Sequence, residues 1–126
     1  MITYLDSSAL IKFISDEEIN NDLQELSRST LATSIISKAE IAMYLRRKQI
    51  VGTIRLSGIL PKVLFIPLSN QVVEFTEILD FKVSQRALDA IHLASAFSLG
   101  ESLAQLVTFD KRMILGAAAL GINVNS

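Results

Sequence analysis

Cysteine is absent from the 126 residues, which excludes disulfides and thiolate metal sites and fits a reducing compartment. Long uncharged runs are missing too. The longest stretch without Asp, Glu, Lys or Arg is Met113 to Ser126, short of the roughly 20 residues a membrane-spanning helix needs. The opening MITYLDSS has no basic segment followed by an apolar one, so no secretory leader is expected and the cytoplasm is the expected location. There is no G-x-S-x-G and no glycine-rich phosphate loop, which removes the elbow-type serine hydrolases and the P-loop enzymes. Charge of one sign is not in excess. With 12 basic and 13 acidic side chains the net charge is −1, which argues against a simple cationic nucleic-acid binder.

Hydrophobic residues make up 50% of the chain and charged ones 20%. This is enough for one sizeable core and too little for two, so a single domain over 1–126 is expected. A mean hydropathy of +0.41 leaves apolar surface to spare for a dimer face. Repeats, linkers and low-complexity segments are not seen.

Ile2 to Leu5 reads as a strand, and Ala9, Leu10 and Phe13 recur at helical spacing after it. SDEEINNDLQELSRS predicts an amphipathic helix, and TLATS a strand ending at Ser34, the expected N-cap of a helix in IISKAEIAMYLRRKQI. TIRLSGIL is weakly helical, KVLFIPL is a strand, and NQVVEFTEILDF is a helix. SQRALDAIHLASAFSLG predicts a helix capped by Ser84, AQLVTF a strand, KRMILGAAALG a helix interrupted by Gly116, and INV a last strand. Regular alternation of strand and helix predicts an α/β fold with a mostly parallel sheet covered on both faces. In such sheets ligands sit beyond the carboxyl ends of the strands, where Asp6 and Asp110 fall.

Four acids stand out. Asp6 and Asp110 each follow a strand, Glu40 shares an apolar stripe with Ile36, Met43 and Tyr44, and Asp89 and His92 are the only ionisable groups of an otherwise apolar ALDAIHLASAF. Each has a purely structural reading as a helix cap or a buried, paired group. Four independent caps or ion pairs explain the set poorly, whereas convergence at one crevice explains it well. Two carboxylates about 4 Å apart repel by roughly 4 kcal/mol at an effective dielectric of 20, and no matching set of buried cations is evident. A hard divalent cation, Mg2+ or Mn2+, would compensate that charge, and such a site suits phosphodiester hydrolysis.

With those four acids sequestered, 12 basic groups face 9 acidic ones on the rest of the surface. Lys38, Arg46, Arg47, Lys48, Arg86, Lys111 and Arg112 flank the acids in sequence and either ring the crevice or are simply solvated. His92 reads as a hydrogen-bonded core residue more readily than as a general base. Ser7 and Ser8 lack a neighbouring base, and LDSSAL lacks the second aspartate of a haloacid-dehalogenase-type phosphotransferase.

YLDSSALIKF, ATSIISKAEIAMYLRR, RALDAIHLASAFSLG and LVTFDKRMILGAAALGINV, in this order, resemble the motifs of the PIN-domain ribonucleases, in particular the compact VapC toxins of toxin-antitoxin pairs. The resemblance implies a Rossmann-like three-layer PIN fold with about five strands. It also implies a metal-dependent endoribonuclease, with Asp6, Glu40, Asp89 and Asp110 as the catalytic, metal-holding acids and Ser8 and Arg86 in support. RNA as substrate, a small antitoxin protein as inhibitor and a homodimer are implied as well. Lys111 and Arg112 follow Asp110 without a further acid, and Met113 stands where an aromatic residue or leucine is commoner. The rival readings are a non-catalytic PIN-like binding module for RNA or protein, and a metal-dependent phosphatase acting on small substrates.

Overall fold

A computed structural model of the chain describes residues 1–15, 29–48, 63–80, 83, 84 and 86–125. Strand β1 (Ile2–Leu5) leads into helix α1 (Ser7–Ser15), then come β2 (Thr30–Ser34), α2 (Ile36–Arg47), β3 (Leu64–Ile66), α3 (Asn70–Ile78) and α4 (Ala87–Phe97). A short 3-10 turn (Gly100–Ser102) precedes β4 (Leu103–Val107), α5 (Lys111–Ala119) and β5 (Val124–Asn125). The expected helices in SDEEINNDLQELSRS and TIRLSGIL lie outside the described residues.

All neighbouring strands run parallel, in the order β3-β2-β1-β4-β5. The chain builds outward from β1 through β2 to β3, then returns to the other side of β1 to place β4 and β5. The strand order therefore reverses between β1 and β4, and the crevice beyond their carboxyl ends is the position where sheets of this kind bind ligands.

Side-chain alternation along β1 splits the interior into two cores. Tyr4 belongs to a cluster with Ala32, Leu93, Ala96, Leu106, Met113, Ala117 and Ile122, under α4 and α5. Leu5 faces the other way, with Ala9, Leu10, Phe13, Leu31, Ile41 and Val107, under α1 and α2. Helices on both faces of a parallel sheet make the expected three-layer α/β/α arrangement. On the outer side of α4, Phe75 of α3 stacks on Phe97 at a centroid separation of 4.8 Å.

Several local expectations need correction. The backbone of Ile35, not Ser34, caps α2, although Ser34 Oγ still accepts the Ile36 N–H at 3.3 Å. Arg86 occupies the cap position of α4, and the Ser84 hydroxyl instead donates to the Arg86 carbonyl. Met43 is half exposed, and the inward face of α2 carries Ser37 and Ile41.

Helix α5 is continuous through Gly116 rather than interrupted by it. It ends in a Schellman motif, with Ile122 N–H donating to the Ala117 carbonyl at 2.9 Å and Gly121 N–H to Ala118 at 3.0 Å. Gly121 takes the positive φ of 74° that this motif requires. Gly116 is glycine for a different reason. A Cβ there would stand 2.5 Å from the Val83 carbonyl oxygen and 2.8 Å from Leu93 Cδ1. Gly116→Ala should therefore destabilise the fold by about 1–3 kcal/mol despite the better helix propensity of alanine, which urea unfolding would measure.

Candidate active site

Asp6 directly follows β1 and is almost fully buried at 3% exposure. Its carboxylate is held at both oxygens. Oδ1 accepts the Ser8 hydroxyl at 2.7 Å and the Ala9 N–H at 2.9 Å, while Oδ2 accepts the Thr108 hydroxyl. The Ala9 bond is the cap of α1, so the structural role foreseen for Asp6 is real, and it coexists with a position at the switch-point crevice. Thr108 Oγ1 in turn accepts the Asp110 N–H at 3.1 Å, and Ser8 Oγ accepts the Phe109 N–H at 3.1 Å. The end of β1 is thus tied to the end of β4.

Asp110 caps α5, accepting the Arg112 N–H at 2.9 Å, with the Arg112 side chain 3.9 Å from the same oxygen. Asp89, in the first turn of α4, is partly buried. Burial, followed by the charge of Asp110, pushes its carboxyl above the usual range, against the opposing effect of Arg112, His92 and Arg86.

Glu40 of α2 accepts the Ser7 hydroxyl at 2.9 Å on Oε2 and the His92 ring at 2.8 Å on Oε1. Burial works against its ionisation. The hydrogen bond and attraction of His92, with the Ser7 hydroxyl, outweigh that and hold the carboxyl below its ordinary value. Behind the ring, the Tyr4 hydroxyl meets His92 Nδ1 at 2.6 Å. His92 is 2% exposed with both ring nitrogens engaged, so it is the hydrogen-bonded core residue the sequence suggested and is not placed to act as a general base.

The acids are neighbours through these groups. Glu40 is bonded to Ser7, which follows Asp6 in the chain, Thr108 bonds both the Asp6 carboxylate and the Asp110 backbone N–H, and the charge of Asp110 acts on Asp89. They do not form a ready-made cage: among the described residues no three His, Cys, Asp or Glu side chains stand as a metal-binding group. Hard cations such as Mg2+ keep several waters and are commonly held through one or two carboxylates. An all-oxygen donor set, in which burial and the charge of Asp110 oppose ionisation of Asp89, suits such an ion chemically.

Of the basic residues, Arg86 and Arg112 act on Asp89. Lys38 lies over the Phe65 ring, Lys48 over Tyr44, and Arg46 reaches Met43, so these contacts fall among neighbours of α2 rather than on the acids. Lys12 sits 5.6 Å from the centre of Phe109, an exposed ring next to Asp110. Ser7, Thr108 and Tyr4 went unassigned in the sequence. Thr108 offered a faint signal as a hydroxyl at the end of a strand, and Tyr4 as a phenol on a buried face, which ordinarily finds a partner.

Acids gathered where the order of a five-stranded parallel sheet reverses, inside an α/β/α sandwich, define a class of α/β fold with a polar switch-point site. A family model for the PIN domain matches residues 3–118, and the chain belongs to the PIN domain family. It is 30% identical over 125 residues to Ribonuclease VapC47 of Mycobacterium tuberculosis, covering 94% of this chain and 91% of that one. To Ribonuclease VapC46 of the same species it is 33% identical over 126 residues, covering 96% and 94%. Among solved structures, the fold is similar to VapBC2 from Rickettsia felis bound to a DNA fragment from its promoter, with a TM-score of 0.71 at 18% identity over 99% of this chain and 98% of that one. A toxin-antitoxin complex from Klebsiella pneumoniae gives 0.73 at 22% identity over 98% and 96%. No helix among the described residues is long and apolar enough to cross a membrane.

Proposed function

We propose that the chain is a divalent-metal-dependent endoribonuclease and the toxin of a toxin-antitoxin pair. The observation that supports this reading is the placing of Asp6, Glu40, Asp89 and Asp110 around Ser7 and Thr108 at the switch point, in a chain whose relatives are named ribonucleases. Asp6, Glu40, Asp89 and Asp110 hold Mg2+ or Mn2+, directly or through water. When bound, the ion supplies the positive charge that favours attack of water on a phosphodiester and stabilises the departing oxygen. The protein's own groups do the placing. Ser8, Thr108 and the Ala9 N–H fix the Asp6 carboxylate, Ser7 and His92 fix Glu40, and Arg86 and Arg112 offer charge to a phosphate beside Asp89.

RNA is the substrate, a small antitoxin protein covers the crevice, and the free protein is a homodimer in the cytoplasm. Incubation of purified protein with a mixed RNA pool should give discrete cleavage in millimolar Mg2+ or Mn2+ and none in EDTA, with saturating antitoxin abolishing it. Intact RNA under all conditions, with the protein folded, would favour a non-catalytic binding module. Turnover of a phosphomonoester without RNA cleavage would favour a phosphatase.

A further inference from the structure

Tyr4, His92 and Glu40 form a line of hydrogen bonds from the interior to the crevice edge, using residues 88 and 52 positions apart in sequence. Exposure rises along it, from 0% at Tyr4 and 2% at His92 to a Glu40 side chain at 22%. An ionised Glu40 only accepts, so the His92 nitrogen facing it, Nε2, carries a proton. The Tyr4 hydroxyl fills the other nitrogen. Nδ1 and the phenol oxygen are 2.6 Å apart.

A histidine buried this deeply needs a partner for each ring nitrogen, and the identity of those partners is what matters. Here one is held from the core and the other is spent on an acid of the site. The bond also spans the sheet. Ile41, next to Glu40 on α2, packs in the core under α1 and α2, whereas Leu93, next to His92, packs in the core under α4 and α5. His92 follows Asp89 by one turn of α4, so the contact fixes the acid-bearing turn of α2 against the acid-bearing turn of α4.

We propose that His92 is a positioning residue for the metal site: anchored by the Tyr4 hydroxyl, its Nε2–H holds the Glu40 carboxylate in the orientation that receives the cation, and keeps α2 and α4 in register. The proposal rests on the metal-dependent reading above. Partners that orient a metal-binding carboxylate are typically worth about 10–100-fold in metal affinity or activity.

The test is Mn2+ binding by titration calorimetry without RNA, together with kcat and KM for an RNA substrate and ring 15N shifts of His92 in the metal-free protein. His92→Leu should weaken Mn2+ binding and lower kcat by about 10–100-fold, with KM for RNA little changed. His92→Gln, whose amide N–H can reach Glu40, should recover most of both. Tyr4→Phe keeps the shape of the core and stands in if His92→Leu fails to fold. It should weaken Mn2+ binding by a smaller factor and move the ring 15N signals of His92, because the partner of Nδ1 is gone. Unaltered Mn2+ affinity in Tyr4→Phe and in folded His92→Leu, or His92→Gln no better than His92→Leu, would overturn the positioning role while leaving the nuclease reading standing. If the unsubstituted protein took up no Mn2+, the metal reading would fall and this proposal with it.

Discussion

Asp6→Asn should lower metal-dependent RNA cleavage at least about a hundred-fold, because a bound cation contributes several kcal/mol to the reaction and each 1.36 kcal/mol is a decade in rate. The fold should survive. Asparagine caps helices about as well as aspartate, so its oxygen can keep the Ala9 N–H that Asp6 Oδ1 now accepts at 2.9 Å. Its amide nitrogen would then face the Thr108 hydroxyl, which rotates to accept. What is lost is the negative charge at the end of β1. Asp6→Ala separates the two roles, since it removes the cap as well and should cost a further ~1 kcal/mol of stability. The measurement is single-turnover cleavage of a defined RNA alongside thermal melting in EDTA. An Asp6→Asn protein with full activity would mean that Asp6 serves only as the cap of α1.

The strand-helix alternation and the positions of Asp6 and Asp110 were legible because they depend on local pattern. A β-branched run followed by residues at helical spacing marks a strand end, and an acid there is visible without knowing the fold. Caps were less legible. Ser34 and Ser84 have the right chemistry, but which residue takes the cap is set by where the backbone turns, and that fell one or two residues later. The outward turn of Met43 was hidden for a related reason: a period read from few apolar residues does not settle which face of α2 meets Ile41's neighbours. The links that organise the site were not legible at all. Thr108 meets Asp6 across 102 residues and His92 meets Glu40 across 52, and no local preference pairs groups at such distances. Gly116 shows the same limit, since its need for a missing Cβ comes from Val83 and Leu93 packing against it.

Asp89→Asn should melt at a higher temperature than the unsubstituted protein in EDTA at neutral pH. Burial and then Asp110 raise the Asp89 carboxyl above its ordinary value, so the folded state holds its proton more tightly than the unfolded chain does. Ionised Asp89 is therefore a cost to folding at any pH above the raised value. That cost fades as pH falls through the raised value and is gone below the unfolded one. Asparagine has nearly the same shape and no charge, so the advantage of the variant should shrink as the pH is lowered toward 4. Millimolar Mg2+ should reverse the order. A ligand that binds only the folded state stabilises it by about 2.7 kcal/mol at a hundred times its dissociation constant, on the order of 10 °C for a chain of this length, and Asp89→Asn should gain much less. Differential scanning calorimetry at several pH values, with EDTA and with Mg2+, reads both effects. If Asp89 is only a favourable charge at the start of α4, its replacement should lower the melting temperature in EDTA and metal should act on both proteins alike, which would place Asp89 outside the metal site and leave Asp6, Glu40 and Asp110 to hold the ion.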